Sequence, residues 1–254
     1  MRILFLCLSA ILVATMNAQN TPVTFQSSMA QTALLELYTS EGCSSCPPAE
    51  TWLSRQKESP GLWKDFVPVA FHVDYWDHLG WRDPWGSKSF SDRQRAYAKR
   101  WRSDSIYTPG FVLNGKEWSD WPGRKDGPKS AGAKAGVLTV SSSDTNRWQV
   151  SFAAANTAGA AFTVHAALLA GGLSSEVKAG ENRGRSLPHD FVVLTYVEAA
   201  VVLRRAAAQG EFVLNVPRKG AENDLALAVW ITPAGQFEPV QATGGWLARR
   251  SSGR

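Results

Sequence analysis

Apolar positions change their spacing along the chain, and each change predicts a different element. Ile3 to Ala14 is a nearly continuous apolar stretch behind Met1-Arg2, too short to span a bilayer comfortably. Residues 19–30 are polar and unpatterned and read as a flexible lead. Ala33 to Thr39 is apolar except for Glu36 and reads as a buried strand, and Pro47 to Gln56 reads as a helix. Phe90, Gln94, Tyr97 and Trp101 then fall at i, i+4, i+7 and i+11, the stripe of an amphipathic helix. Lys88, Arg93, Arg95, Lys99, Arg100 and Arg102 would cover its outer face. Asn114-Gly115 between two short β-like runs predicts a hairpin. Residues 122–136, rich in Gly, Pro and Lys, read as a linker. Beyond it, short apolar or alternating runs recur at Gly136–Val140, Trp148–Phe152, Phe162–Leu169, Phe191–Tyr196, Phe212–Val216 and Leu225–Ile231. That recurrence predicts an antiparallel β-sandwich. Glu198 to Gln209 is ambiguous: its alanines and arginines favour helix, while Val197, Val201 and Val202 suit a strand.

Composition changes this picture little. A chain of 254 residues with a 44% hydrophobic fraction suits two domains with ordinary cores. The net charge of +5 is mildly basic and concentrates on the amphipathic helix. A solvated helix face explains it better than a nucleic-acid face, so no nucleic-acid partner is expected. The first apolar stretch reads as a secretory signal peptide, residues 1–18, cut after Ala18; a buried strand or helix is the other reading. Export to the periplasm or beyond the cell is therefore expected. No long apolar run follows, so the mature chain is expected to be soluble, without a membrane partner. Cleavage removes Cys7 and leaves Cys43 and Cys46 as the only cysteines.

Those two cysteines carry the clearest chemistry. Cys43-Ser44-Ser45-Cys46-Pro47-Pro48 follows a strand and a turn and opens a helix. Two cysteines at this spacing can close a disulfide or share a soft metal. A helix amino terminus stabilises a thiolate, which makes Cys43 the expected nucleophile, more exposed and more acidic than Cys46. Cys46 would then resolve the mixed disulfide. A structural bridge is the competing reading, although so small a loop adds little stability. Glu36 within the first strand is either a buried proton acceptor for the thiols or a salt-bridged carboxylate. The segment from His72 to Trp85 crowds His72, Asp74, Tyr75, Trp76, Asp77, His78, Trp81, Asp83 and Trp85 together. Its donor types suit a transition metal, but the spacing matches no defined ligand pattern. An aromatic lid beside the dithiol is the stronger reading. No metal ligand and no cofactor is assigned.

The order strand, turn, Cys-x-x-Cys, helix resembles thioredoxin-like proteins. That resemblance implies a cis Thr108–Pro109 bond facing Cys43, with the Thr108 backbone offered to an extended substrate peptide. More narrowly, Leu35 to Glu50 resembles the secreted bacterial family catalogued as domain of unknown function 1223. So do His72 to Asp77, Leu79-Gly80-Trp81, Asp83-Pro84, Tyr107-Thr108-Pro109, Asn114-Gly115, Gly180 to Arg185, His189 and Phe191-Val192-Val193. The resemblance covers nearly the whole mature chain. Gly110 stands where a larger polar residue is expected, and no amphipathic helix is legible after Trp121. The expected fold is an α/β thioredoxin-like domain at 31–121 with an inserted aromatic lid, then an antiparallel β-sandwich-like domain at 137–250. The expected function is an exported thiol–disulfide oxidoreductase acting on protein or peptide disulfides. Cys43, Cys46, Thr108, Pro109 and Glu36 would form its site. Two alternatives stay open: a soft-metal (copper) carrier, and a binding module with an inert disulfide whose contact is the Gly180–His189 loop.

Overall fold

The computed structural model describes residues 22–247 apart from 143, 145, 156–160, 205–206 and 221–223. The expected signal peptide lies outside the described residues. Strands β1 (Val23–Gln26), β2 (Ala33–Thr39), β3 (Phe66–His72), β4 (Gly110–Leu113) and β5 (Lys116–Glu117) belong to the first half of the chain, with helices α1 (Pro47–Arg55) and α2 (Lys88–Trp101). The second half supplies β6 (Gly136–Ser142), β7 (Arg147–Ala154), β8 (Phe162–Gly171), β9 (Leu173–Glu176), β10 (Ser186–His189), β11 (Val192–Arg204), β12 (Ala207–Val213), β13 (Asp224–Pro233) and β14 (Gln241–Trp246).

Central strand β2 pairs in parallel with β3 and antiparallel with β4. Both its faces are buried, in keeping with a run that is apolar but for Glu36 and Thr39. Pro47 and Pro48 sit in the first turn of α1, where backbone N–H groups have no helix partner. Helix α2 is capped by Ser87, whose side chain accepts from the Ser89 N–H, and it ends at Arg102 in the left-handed conformation. Asn114 and Gly115, at φ 50° and 80°, make the tight turn between β4 and β5 that the dipeptide predicts.

The expected fold class is not what forms. The described residues are 45% strand and 14% helix, and β1 to β8 and β11 to β14 join one mixed sheet of 12 strands. No separate α/β thioredoxin-like domain is followed by a sandwich. The reason lies at the outer edge of β3. Instead of ending the sheet there, Ala70 pairs in parallel with Val192 of β11. Strand β11 continues antiparallel to β8 and then, through Val202–Arg204, to β12. Residues 23–26, read as flexible lead, form β1 against β6. The ambiguous stretch from Glu198 is strand, because pairing with β8 outweighs the helix preference of its alanines.

Strands β8 and β13 are buried on both faces, and their period of two divides the interior. Ala167, Leu169, Ala226, Ala228 and Trp230 pack into the core shared with β2, β3, α1 and α2. Val164, Ala166, Leu168, Leu227, Val229 and Ile231 pack into a second core against β6, β7 and β12. One pair of strands thus belongs to both cores.

Candidate functional site

The dithiol stands where β2 ends and α1 begins. Cys43 and Cys46 form a disulfide with Cα atoms 5.5 Å apart, and Cys46 is the residue that precedes the first turn of α1. Both cysteines are 0% exposed, so the expected greater exposure of Cys43 is not observed. Ser44 and Ser45 between them face solvent. Thr108–Pro109 is a cis peptide bond, and the Thr108 carbonyl oxygen lies 3.7 Å from Cys43 Sγ. The Ser45 hydroxyl is 3.4 Å from Cys43 Sγ and 3.4 Å from that same oxygen. A disulfide sulfur carries no hydrogen, so Ser45 is the donor in both contacts.

Two segments cover the disulfide. From the His72–Trp85 segment, Trp76 packs on Gly42, where a methyl group would lie 2.7 Å from Trp76 Cβ. The Trp76 indole N–H donates to Thr108 Oγ1 at 2.8 Å. From the segment between β9 and β10, Asn182 donates to the Glu41 and Cys43 carbonyls, each at 2.9 Å. The Glu181 carboxylate accepts the Ser44 backbone N–H at 3.0 Å. Reading the sequence placed the aromatic segment beside the cysteines; it proposed residues 180–189 only as a separate contact loop.

Glu36 is elsewhere. Thr39 of β2 meets Glu50 of α1, whereas Glu36 faces α2, because alternate residues of a strand point to opposite faces. Its carboxylate accepts from Arg93 Nε at 2.9 Å, Tyr97 Oη at 2.6 Å and Tyr38 Oη at 3.0 Å. It is the salt-bridged carboxylate of the two readings. Arg93, expected on the outer face of α2, is buried among the rings of Phe71, Tyr97, Tyr196 and Trp230.

On the α1 side of β2, a buried ionic cluster adjoins the dithiol turn. Glu41 immediately precedes that turn, and Glu50 lies one helical turn beyond Cys46. His189 Nδ1 contacts Glu50 Oε2, and its Nε2 lies 3.2 Å from Glu41 Oε1. His72 Nδ1 is 2.8 Å from Asp83 Oδ2, which also accepts the Glu41 backbone N–H at 2.8 Å. The two imidazole rings meet edge to face, 5.1 Å apart. Burial alone would push the Glu50 carboxyl up, but the charge of His189 overrides it and holds it below the usual range. Burial would lower His189, yet the Glu50 charge lifts it to about 10. By the same opposition, Asp83 is held low by His72, and His72 is raised by Asp83. His72 Nε2 is buried with no hydrogen-bond partner. Sequence spacing did not reveal this cluster, since Glu50 and His189 are 139 residues apart.

Comparison with known proteins adds a family and a fold. No curated protein matches the chain significantly. A crystal structure of a protein from Agrobacterium tumefaciens, a structural-genomics target, is similar with a TM-score of 0.58 at 20% identity, over 90% of this chain and 99% of that one. HBP35 of Porphyromonas gingivalis is similar with a TM-score of 0.60 at 12% identity, over 90% of this chain and 79% of that one. At these identities the likeness concerns the fold alone. The model of the family described as protein of unknown function DUF1223 matches residues 34–232, most of the 254, and the chain belongs to that family.

Proposed function

We propose that the chain is an exported thiol–disulfide oxidoreductase that works through Cys43 and Cys46. The observation that carries this reading is the seat of the disulfide. It lies at the start of α1, with the Ser45 hydroxyl and the Thr108 carbonyl against Cys43 Sγ. In the reduced form, the α1 amino terminus and the Ser45 hydroxyl both favour a thiolate on Cys43. That thiolate attacks one sulfur of a substrate disulfide. A Cys43–substrate disulfide forms, and the other substrate sulfur leaves as a thiolate. Cys46, as thiolate, attacks Cys43 Sγ, closes the Cys43–Cys46 disulfide and releases the second substrate sulfur. Two electrons pass to the substrate, whose sulfurs take up two protons. Run backwards, the same steps oxidise a substrate dithiol. Protein or peptide disulfides are the substrate class, because the Thr108 backbone beside the sulfur can pair with an extended chain.

Trapping tests this directly. The Cys46→Ser variant, mixed with a peptide disulfide, is expected to accumulate a mixed disulfide through Cys43, while Cys43→Ser accumulates none. Equal trapping by both variants, or by neither, would overturn the assignment. The full burial of both sulfurs favours a second reading, a structural bridge in a binding module. Absence of trapping by either variant is what that reading expects.

A further inference from the structure

Three of the four imidazole nitrogens of His72 and His189 have a carboxylate partner, and the fourth, His72 Nε2, has none. An unsatisfied buried polar atom is costly, so its position calls for a partner. His72 is not free to turn away. Asp83 holds its Nδ1 and is itself fixed by the Glu41 and Trp85 backbone N–H groups. In the neutral ring Nδ1, held by Asp83, carries the hydrogen, which leaves the buried Nε2 lone pair without a partner. His189 is built alike: Glu41 takes Nε2, while Nδ1 faces Glu50. A carboxylate on the far nitrogen is the support that metal-binding histidines use.

We propose that His72, His189 and Glu50 form a buried site for a first-row divalent transition cation of the zinc type. Asp83 and Glu41 would orient the two imidazoles. The candidate ligand atoms, one from each residue, all lie within 4.8 Å of one another, and all three residues are buried. Tetrahedral zinc–ligand bonds of about 2.0–2.2 Å set ligand atoms about 3.3–3.6 Å apart, so the set must close by about an ångström to meet on one ion. Two nitrogens with carboxylate oxygen suit a borderline cation and not copper(I), which prefers sulfur. The ion would tie α1, β3 and the end of β10 together behind the dithiol turn, a structural role independent of thiol exchange.

Cobalt(II) titration of the full mature chain, disulfide intact and without chelator, tests the site. One equivalent is expected to bind with ligand-field bands and without sulfur-to-cobalt charge transfer. Excess zinc(II) is expected to displace the cobalt and raise Tm. A Cys43→Ser/Cys46→Ser chain should give the same spectrum, and a folded His72→Gln chain should bind at least tenfold more weakly. The wild-type titration decides the matter even where a variant fails to fold. Absence of cobalt uptake with a Tm unmoved by zinc overturns the proposal. So does a charge-transfer band that vanishes in the cysteine double variant.

Discussion

The Ser45 hydroxyl, shared between Cys43 Sγ and the Thr108 carbonyl, becomes a thiolate donor when the disulfide opens, since a negative sulfur is the stronger acceptor. Hydrogen bonding to the charged form lowers a pKa. Ser45→Ala is therefore expected to raise the Cys43 pKa by about one unit, the equivalent of one ordinary hydrogen bond. The pH dependence of alkylation by iodoacetamide measures it, and an unchanged profile removes Ser45 from thiolate support. The ionic cluster gives a second prediction, for chain stripped of metal. His189 and His72 are raised, so their stabilisation is full below about pH 6.5 and fades as pH rises toward about 10. Glu50 and Asp83 are lowered, so theirs is full above about pH 4.5 and fades as pH falls further. Tm should therefore peak between about pH 4.5 and 6.5 and decline by pH 9. A Tm that is flat from pH 6 to pH 9 contradicts the assigned charges. The cysteines were legible because their spacing is local. The cluster was not: His72 and Asp83 stand in one segment, but Glu50 and His189 reach them only through the fold.

Among the elements, the short crossing from β9 to β10 hydrogen-bonds directly to the dithiol turn. Asn182 donates to two carbonyls of that turn, and its own oxygen accepts from Arg185 at 2.8 Å. Asn182→Ala removes this donor from the buried Glu41 carbonyl, while the Cys43 carbonyl keeps the Cys46 backbone N–H at 3.3 Å. It is expected to cost about 1–3 kcal/mol of stability, measured by urea unfolding with the disulfide intact. A loss below the scatter of replicate curves would mean that the turn holds itself. Trp76 packs on Gly42 and bonds Thr108 beside the disulfide: Trp76→Ala should speed reduction of the disulfide by dithiothreitol several-fold, and an unchanged rate would mean that Trp76 does not limit access. Helix α2 and the Asn114-Gly115 hairpin were legible because period and turn chemistry are local signals. The burial of Arg93 was not, because its partner Glu36 is 57 residues away.

For the whole molecule, two-faced strands decide cohesion. Trp230 of β13 packs in the core of β2, β3 and the helices, while Val229 and Ile231 beside it face the other core. Damage to one core should therefore be felt in the other. Trp230→Ala is expected to cost about 3–5 kcal/mol and still give one unfolding transition, coincident in tryptophan fluorescence and far-ultraviolet circular dichroism. Two separated transitions would mean that the cores unfold independently. The β-rich pattern of the second half was legible run by run. The pairing of Val192 with Ala70, which carries β3 into that half, was not, because nothing in a strand's own sequence names its neighbour.

The central claim is that Cys43–Cys46 is an exchanging redox pair. Equilibration of the protein with glutathione buffers of graded potential, followed by alkylation and mass spectrometry, measures it most directly. The pair is expected to titrate reversibly as a two-electron couple between about −120 and −270 mV, the span of known thiol–disulfide oxidoreductases. A disulfide that stays closed below about −300 mV, as structural bridges do, would contradict the claim.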